Sequence, residues 1–76
     1  MARLTGIKAR DVLGALRRAG FIQVRSSGSH RLLVHRDDPA RIVVVPFHGA
    51  KDLKRGTLGK IIRQAKLSPA EFLEFL

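Results

Sequence analysis

Residues 21–47 read FIQVRSSGSHRLLVHRDDPARIVVVPF, and this stretch decides the fold. β-Branched and long apolar residues come in three blocks, FIQV at 21–24, RLLV at 31–34 and RIVVV at 41–45, separated by the turn-forming clusters SSGS and DDPA. The pattern predicts three antiparallel strands joined by two short hairpins. Pro46 closes the third strand, because proline cannot continue a central ladder. Upstream, a helix is expected from about Ile7 to Ala19, with Thr5 as its cap. Val12, Leu13, Leu16 and Ala19 form its apolar stripe, and Arg10, Arg17 and Arg18 fall mostly outside it. Gly20 ends it in a left-handed C′ conformation. Downstream, a second helix is expected to start near Thr57, carrying Leu58, Ile61, Ile62 and Ala65 at helical spacing and ending before Ser68. SPAE at 68–71 is a capping box with proline at the first helical position, so a last short helix holds Phe72, Leu73, Phe75 and Leu76. The class is α+β, in the order α-β-β-β-α plus a C-terminal helix, with residues 1–76 read as one domain.

A chain of 76 residues has room for a single-layer core and little room for a large substrate cleft. Fifteen Lys and Arg against six Asp and Glu leave a net charge of +9, which repels itself unless an anionic partner is near. Nucleic acid is the first partner to consider. Membrane-seeking helices segregate their basic and apolar faces, whereas the cations here are spread over helices, strands and loops, so no membrane is expected. The absence of cysteine excludes disulfides and thiolate zinc sites and fits a reducing compartment. The longest apolar run, IVVVPF, is too short to span a bilayer, and MARLTG lacks a signal-peptide core. A cytoplasmic location is therefore expected.

Among the three histidines, His30 and His35 are five residues apart and project to opposite faces of a regular strand. If Arg36 faces Arg41 across DDPA, Ser29 lies opposite His48 and His30 opposite Phe47, and a one-residue slip brings His30 opposite His48. A Ser27-Gly28 turn places Arg25 beside His30. One end of the sheet is thus expected to gather His30, His48, Ser29 and Arg25, a group able to bind phosphate and move a proton. Each also has a plainer reading: a hydrogen-bonded strand-end histidine, a turn serine. His35 is taken as structural or solvent-facing, and the spacing of the histidines does not match a metal site. A second basic feature, KDLKRGTLGK at 51–60, sets Lys51, Lys54, Arg55 and Lys60 around the Gly56-Thr57 pair that opens the second helix, where free N–H groups favour an anion. The alternative there is a solvated charged loop.

There is no Tyr or Trp, and the phenylalanines at 21, 47, 72 and 75 fall on apolar faces, which argues against an aromatic platform for single-stranded bases. Core packing is the first reading of all four, with Phe72 and Phe75 also candidates for a partner's groove. No Walker loop, paired carboxylate or dinucleotide fingerprint occurs.

ALRRAGF at 15–21, GSHRLL at 28–33, VVVPFHG at 43–49 and KRGTLGKIIRQAKLS at 54–68 together resemble the HicA toxin family, the small mRNA interferases of toxin-antitoxin pairs. The resemblance covers nearly the whole chain in order. It implies a fold similar to the double-stranded-RNA-binding domain. It also implies a type II toxin that blocks translation as a metal-independent mRNA endoribonuclease, with no cofactor. The histidine on which cleavage depends in that family falls at His30, as general acid or base, with Ser29, His48 and Arg25 as possible support. Lys51, Lys54, Arg55, Thr57 and Lys60 are the expected phosphate contacts, with Arg25 or Lys51 stabilising the phosphorane. The implied partners are mRNA and a HicB-type antitoxin that covers the site. The alternative is a non-catalytic module of the same fold that binds double-stranded RNA or DNA.

Overall fold

The computed structural model describes residues 6–48 and 51–76. Its elements run α1 (Ala9–Arg18), β1 (Phe21–Ser27), β2 (His30–His35), β3 (Ile42–Pro46), α2 (Arg55–Gln64) and α3 (Pro69–Phe75). The strands form one antiparallel sheet in the order β1-β2-β3, so the expected α+β architecture is present.

Alternation along the strands sends Phe21, Leu33, Val43 and Val45 to one face, where they are buried with Val12, Leu13 and Leu16 of α1, Leu58, Ile61 and Ile62 of α2, and Phe72 of α3. Phe21 and Phe72 are therefore core residues, and Phe72, fully enclosed, is not available to a partner.

The helix ends show how local chemistry sets the boundaries. α1 begins two residues later than its apolar stripe suggested; its N-cap is Lys8, whose N–H donates to the Asp11 carboxylate at 3.3 Å. Thr5, the expected cap, lies outside the described residues. Gly20 has φ +104° and donates its N–H to the Arg17 carbonyl, the C′ role expected of it. α2 starts at Arg55 rather than Thr57, after an N-cap, Lys54, that offers no side-chain acceptor. Its C-terminus closes in a Schellman motif: Leu67 N–H donates to the Ile62 carbonyl, Lys66 N–H to that of Arg63, and Lys66 takes φ +58°. Arg41 also donates to the Ala65 carbonyl at 2.9 and 2.6 Å while its guanidinium stands over the Phe21 ring. In α3 the capping box forms as expected: Ser68 Oγ accepts from Glu71 N–H at 3.1 Å, and the Glu71 carboxylate accepts from Ser68 N–H at 2.8 Å. That backbone donor and the Ser68 side chain hold the Glu71 carboxyl below its usual range.

Register departs from expectation at both hairpins. Ser27 pairs with His30, so the first turn is Gly28-Ser29 rather than Ser27-Gly28. Gly28 takes φ +56° and Ser29 does not take a positive φ, the signature of a type II′ turn. A bulge at Val24 then shifts the pairing between Gln23 and Arg25. On the other side His30 pairs with Pro46 and Val34 with Ile42, so Arg36 does not face Arg41. Instead Arg36 N–H donates to the Gly20 carbonyl, and Asp38 turns the chain by accepting from Ala40 N–H.

Candidate nucleic-acid interface

These registers arrange the open face of the sheet, the one turned away from the helices, in three cross-strand rows. Ile22, Val34 and Ile42 form the first, Arg25, Leu32 and Val44 the second, and Ser27, His30 and Pro46 the third. His30 is thus the exposed first residue of β2, at the rim of the open face. Its position is fixed from below. The Arg31 side chain donates to the Gly28 carbonyl at 3.1 Å, and its guanidinium lies 4.9 Å from the Phe47 ring centroid. Phe47 N–H donates in turn to the Ser29 carbonyl. Ser29 therefore takes part through its backbone as a turn residue.

Beside His30 lies a hollow of about 210 Å³. Its walls are Val44 and Pro46 from the sheet and Thr57, Lys60, Ile61 and Gln64 from α2. The α2 residues are one helical stripe at i, i+3, i+4 and i+7. Gln64 joins the helix to the sheet edge, because its Oε1 accepts the outward N–H of Val44 at 3.3 Å. A second hollow of about 460 Å³ adjoins it, sharing Pro46 and Thr57, and is lined further by His48, Lys51, Asp52, Leu53 and Lys54. The segment carrying those lysines is pinned to the start of α1: Leu53 N–H donates to the Ile7 carbonyl at 2.9 Å, and Lys8 Nζ meets Asp52 Oδ1 at 3.2 Å. Among the described residues the ion pairs are Lys8–Asp52 and Arg36–Asp37, so Lys51, Lys54 and Lys60 carry charge with no carboxylate partner there. The N-cap of α2, Lys54, makes no side-chain cap hydrogen bond to the first turn of the helix.

Several expected placements change. Arg25 does not lie beside His30; it pairs with Leu32, one row away and diagonal to His30 on the open face. The cause is the Gly28-Ser29 turn, which moves the pairing by two residues. Pro46, and neither Phe47 nor His48, stands opposite His30, and His48 lines the neighbouring hollow. Lys51 lines that second hollow as well, so the cation sharing the His30 hollow is Lys60. Arg55 lines neither. Gln64 was not anticipated as part of the region, although the stripe Thr57, Lys60, Ile61, Gln64 could have shown it.

His35 has the structural role foreseen as one of its two readings. Its Nδ1 accepts from Asp37 N–H at 3.1 Å, which leaves Nε2 to donate to the Ala19 carbonyl at 3.1 Å. The ring meets Phe21 edge-on at 5.0 Å. No group of three or more His, Asp or Glu side chains converges among the described residues. No helix there is long and apolar enough to cross a membrane.

The family model described as HicA toxin of bacterial toxin-antitoxin matches residues 9–67, from the first turn of α1 to the linker before α3. The chain belongs to the HicA toxin family. The match takes in all three strands, both hollows and the GSH and GTLGKI stretches on which the sequence resemblance rests. A comparison with curated proteins returned no match. Membership makes the chain the toxin of a toxin-antitoxin pair and implies an antitoxin partner.

Proposed function

We propose that this HicA-family toxin is a metal-independent mRNA endoribonuclease of the cytoplasm that blocks translation, with His30 as the group that moves the proton. The observation that carries the reading is the shared hollow: an exposed imidazole, a lysine ammonium and a threonine hydroxyl open onto one space, next to a second space lined by two more lysines. Neutral His30 accepts the proton of an RNA 2′-hydroxyl, the freed oxygen attacks the adjacent phosphorus, and the 5′-oxygen departs with a proton. The products are a 2′,3′-cyclic phosphate and a 5′-hydroxyl. Lys60 is better placed than Arg25 or Lys51 to hold charge on the phosphorane, because it alone of the three lines the His30 hollow. Thr57 and the uncapped N–H groups of α2 supply neutral donors to the same phosphate. Lys51 and Lys54 hold the next phosphate along the strand, and His48, in the same adjoining hollow, is the candidate to protonate the leaving oxygen. A HicB-type antitoxin would inhibit by covering this region.

The same cations could bind double-stranded RNA or DNA with no bond broken. His30→Ala separates the readings. The variant is expected to bind RNA as the parent does and to lose at least about 100-fold in cleavage, the scale of general acid-base catalysis. Equal cleavage by both proteins rejects His30 as the proton carrier, and binding without cleavage by the parent supports the non-catalytic module.

A further inference from the structure

The His30 hollow is larger than a bound phosphate needs. Its volume of about 210 Å³ equals about seven waters at about 30 Å³ each, and the stripe from Thr57 to Gln64 runs about 10 Å along α2 at about 1.5 Å per residue. The two ends differ in character. His30 pairs with Pro46, so the imidazole, Pro46 and Thr57 share one end, while Val44, two residues back along β3, and Gln64 share the other. At that second end Val44 is 39% exposed and offers an aliphatic surface. Gln64 is held there in one orientation. Its partner is the N–H of Val44, a donor that only the amide oxygen can accept, so Nε2 is left to present two N–H groups. Lys60, one turn before Gln64 on the same stripe, also only donates, and no carboxylate lines the hollow among the described residues.

We propose that this second end takes the nucleobase whose ribose lies at His30, and that Gln64 selects a keto base, guanine or uracil, over adenine and cytosine. The inference rests on RNA entering the His30 hollow and not on whether its backbone is cut there. A glutamine with both amide atoms free pairs with adenine by donating to N7 and accepting from the N6 amino group. Here the oxygen is committed to Val44, so adenine and cytosine bring an amino donor against donors and leave it unpaired. The O6 and N7 of guanine or the O4 of uracil accept from Nε2 instead, while Val44 lies against the ring. A phosphate at Lys60 and a base at Gln64 are one helical turn apart, about 6 Å, comparable with the separation of these two groups within a single nucleotide.

The test is fluorescence anisotropy with labelled RNA hexamers at one salt concentration, on the full chain carrying His30→Ala so that the probes stay intact. The probes are oligo(C) and oligo(C) with one central U, G or A. A central U or G is expected to tighten binding about tenfold over oligo(C), the size of one base-edge contact, and a central A is not. A gain with U alone or with G alone supports the proposal and assigns the ring size that the hollow takes. Gln64→Met keeps the length of the side chain, removes its donors, and is expected to bring all four probes within about twofold of one another while oligo(C) binds as before. Gln64→Glu keeps an acceptor for the Val44 N–H and turns the free atom from donor to acceptor, so the preference is expected to reverse, with one central C in oligo(U) now tightening binding. With Gln64 in place, its side-chain amide signals are expected to shift on adding the central-U or central-G probe and not the central-A probe, a readout that no substitution at Gln64 affects. Equal binding of all four probes, a preference for A, a U or G preference that survives Gln64→Met, or unmoved amide signals each overturn the proposal. If the parent never cuts RNA while the U or G preference appears and depends on Gln64, the nuclease reading fails and this one stands. If the parent cuts with no base preference beside the cut and the probes bind equally, the nuclease reading stands and this one fails.

Discussion

Removing Lys54 and Lys60 together should change how salt acts on RNA binding, and the size of the change follows from their placement. Lys51, Lys54 and Lys60 line the two hollows, Arg55 is exposed at the first residue of α2, and none of the four has a carboxylate partner among the described residues. If each neutralises one phosphate of a single strand, the logarithm of the binding constant falls with the logarithm of salt at a slope of about −2.8, from about −0.7 per contact. Affinity then drops about 50-fold between about 50 and 200 mM salt. Lys54→Ala with Lys60→Ala removes two contacts, leaving a slope of about −1.4 and a drop of about sevenfold over the same range. The assay is fluorescence anisotropy of a labelled RNA, carried out on a His30→Ala background so that the probe stays intact. Arg17→Ala, on the exposed side of α1, should leave the slope where it was. A slope that does not change when both lysines are gone would refute the placement of RNA along these hollows, whatever the absolute affinity.

Two further predictions concern the helix ends that hold the site in register. Gly20→Ala should destabilise the fold by about 2 kcal/mol, because φ +104° is strained for alanine and a Cβ there would stand 2.8 Å from His35 Nε2; urea unfolding reads it, and a neutral result contradicts the packing described. Lys66→Gly should stabilise by about 1 kcal/mol, raising the melting temperature by about 5 °C, since Lys66 holds a left-handed conformation at the end of α2 that glycine adopts freely. A fall in melting temperature would show that the Lys66 side chain does more than occupy the turn.

Much of this architecture is legible in the sequence where one residue type has one physical use. Gly20 after an apolar helical stripe, SPAE before an apolar run, and Pro46 at the end of IVVVP each leave few alternatives, and all three appear where expected. Strand register is harder to read because SSGS contains two adjacent dipeptides able to form a two-residue turn, and the choice between them moves Arg25 relative to His30. The bulge at Val24 adds a second shift that no residue type announces. The start of α2 is obscured because Lys54 provides no side-chain cap, whereas Thr57, two residues inside the helix, has the side chain of a cap. For the site, GSH points to His30 through resemblance, whereas its neighbour Lys60 depends on how α2 lies along the β3 edge. That placement follows from the burial of Leu58, Ile61 and Ile62 against the sheet, with the Gln64 to Val44 hydrogen bond added at the edge, tertiary contacts invisible to local pattern.

The most direct test of the chemistry is the end groups left when purified protein cuts a defined RNA in EDTA. Proton transfer from the 2′-hydroxyl by His30 predicts 2′,3′-cyclic phosphate or 3′-phosphate ends and 5′-hydroxyl ends, with no cut where a single 2′-deoxynucleotide replaces the attacking ribose. Cleavage that stops in EDTA and returns with magnesium, or products that carry 5′-phosphates, would contradict it.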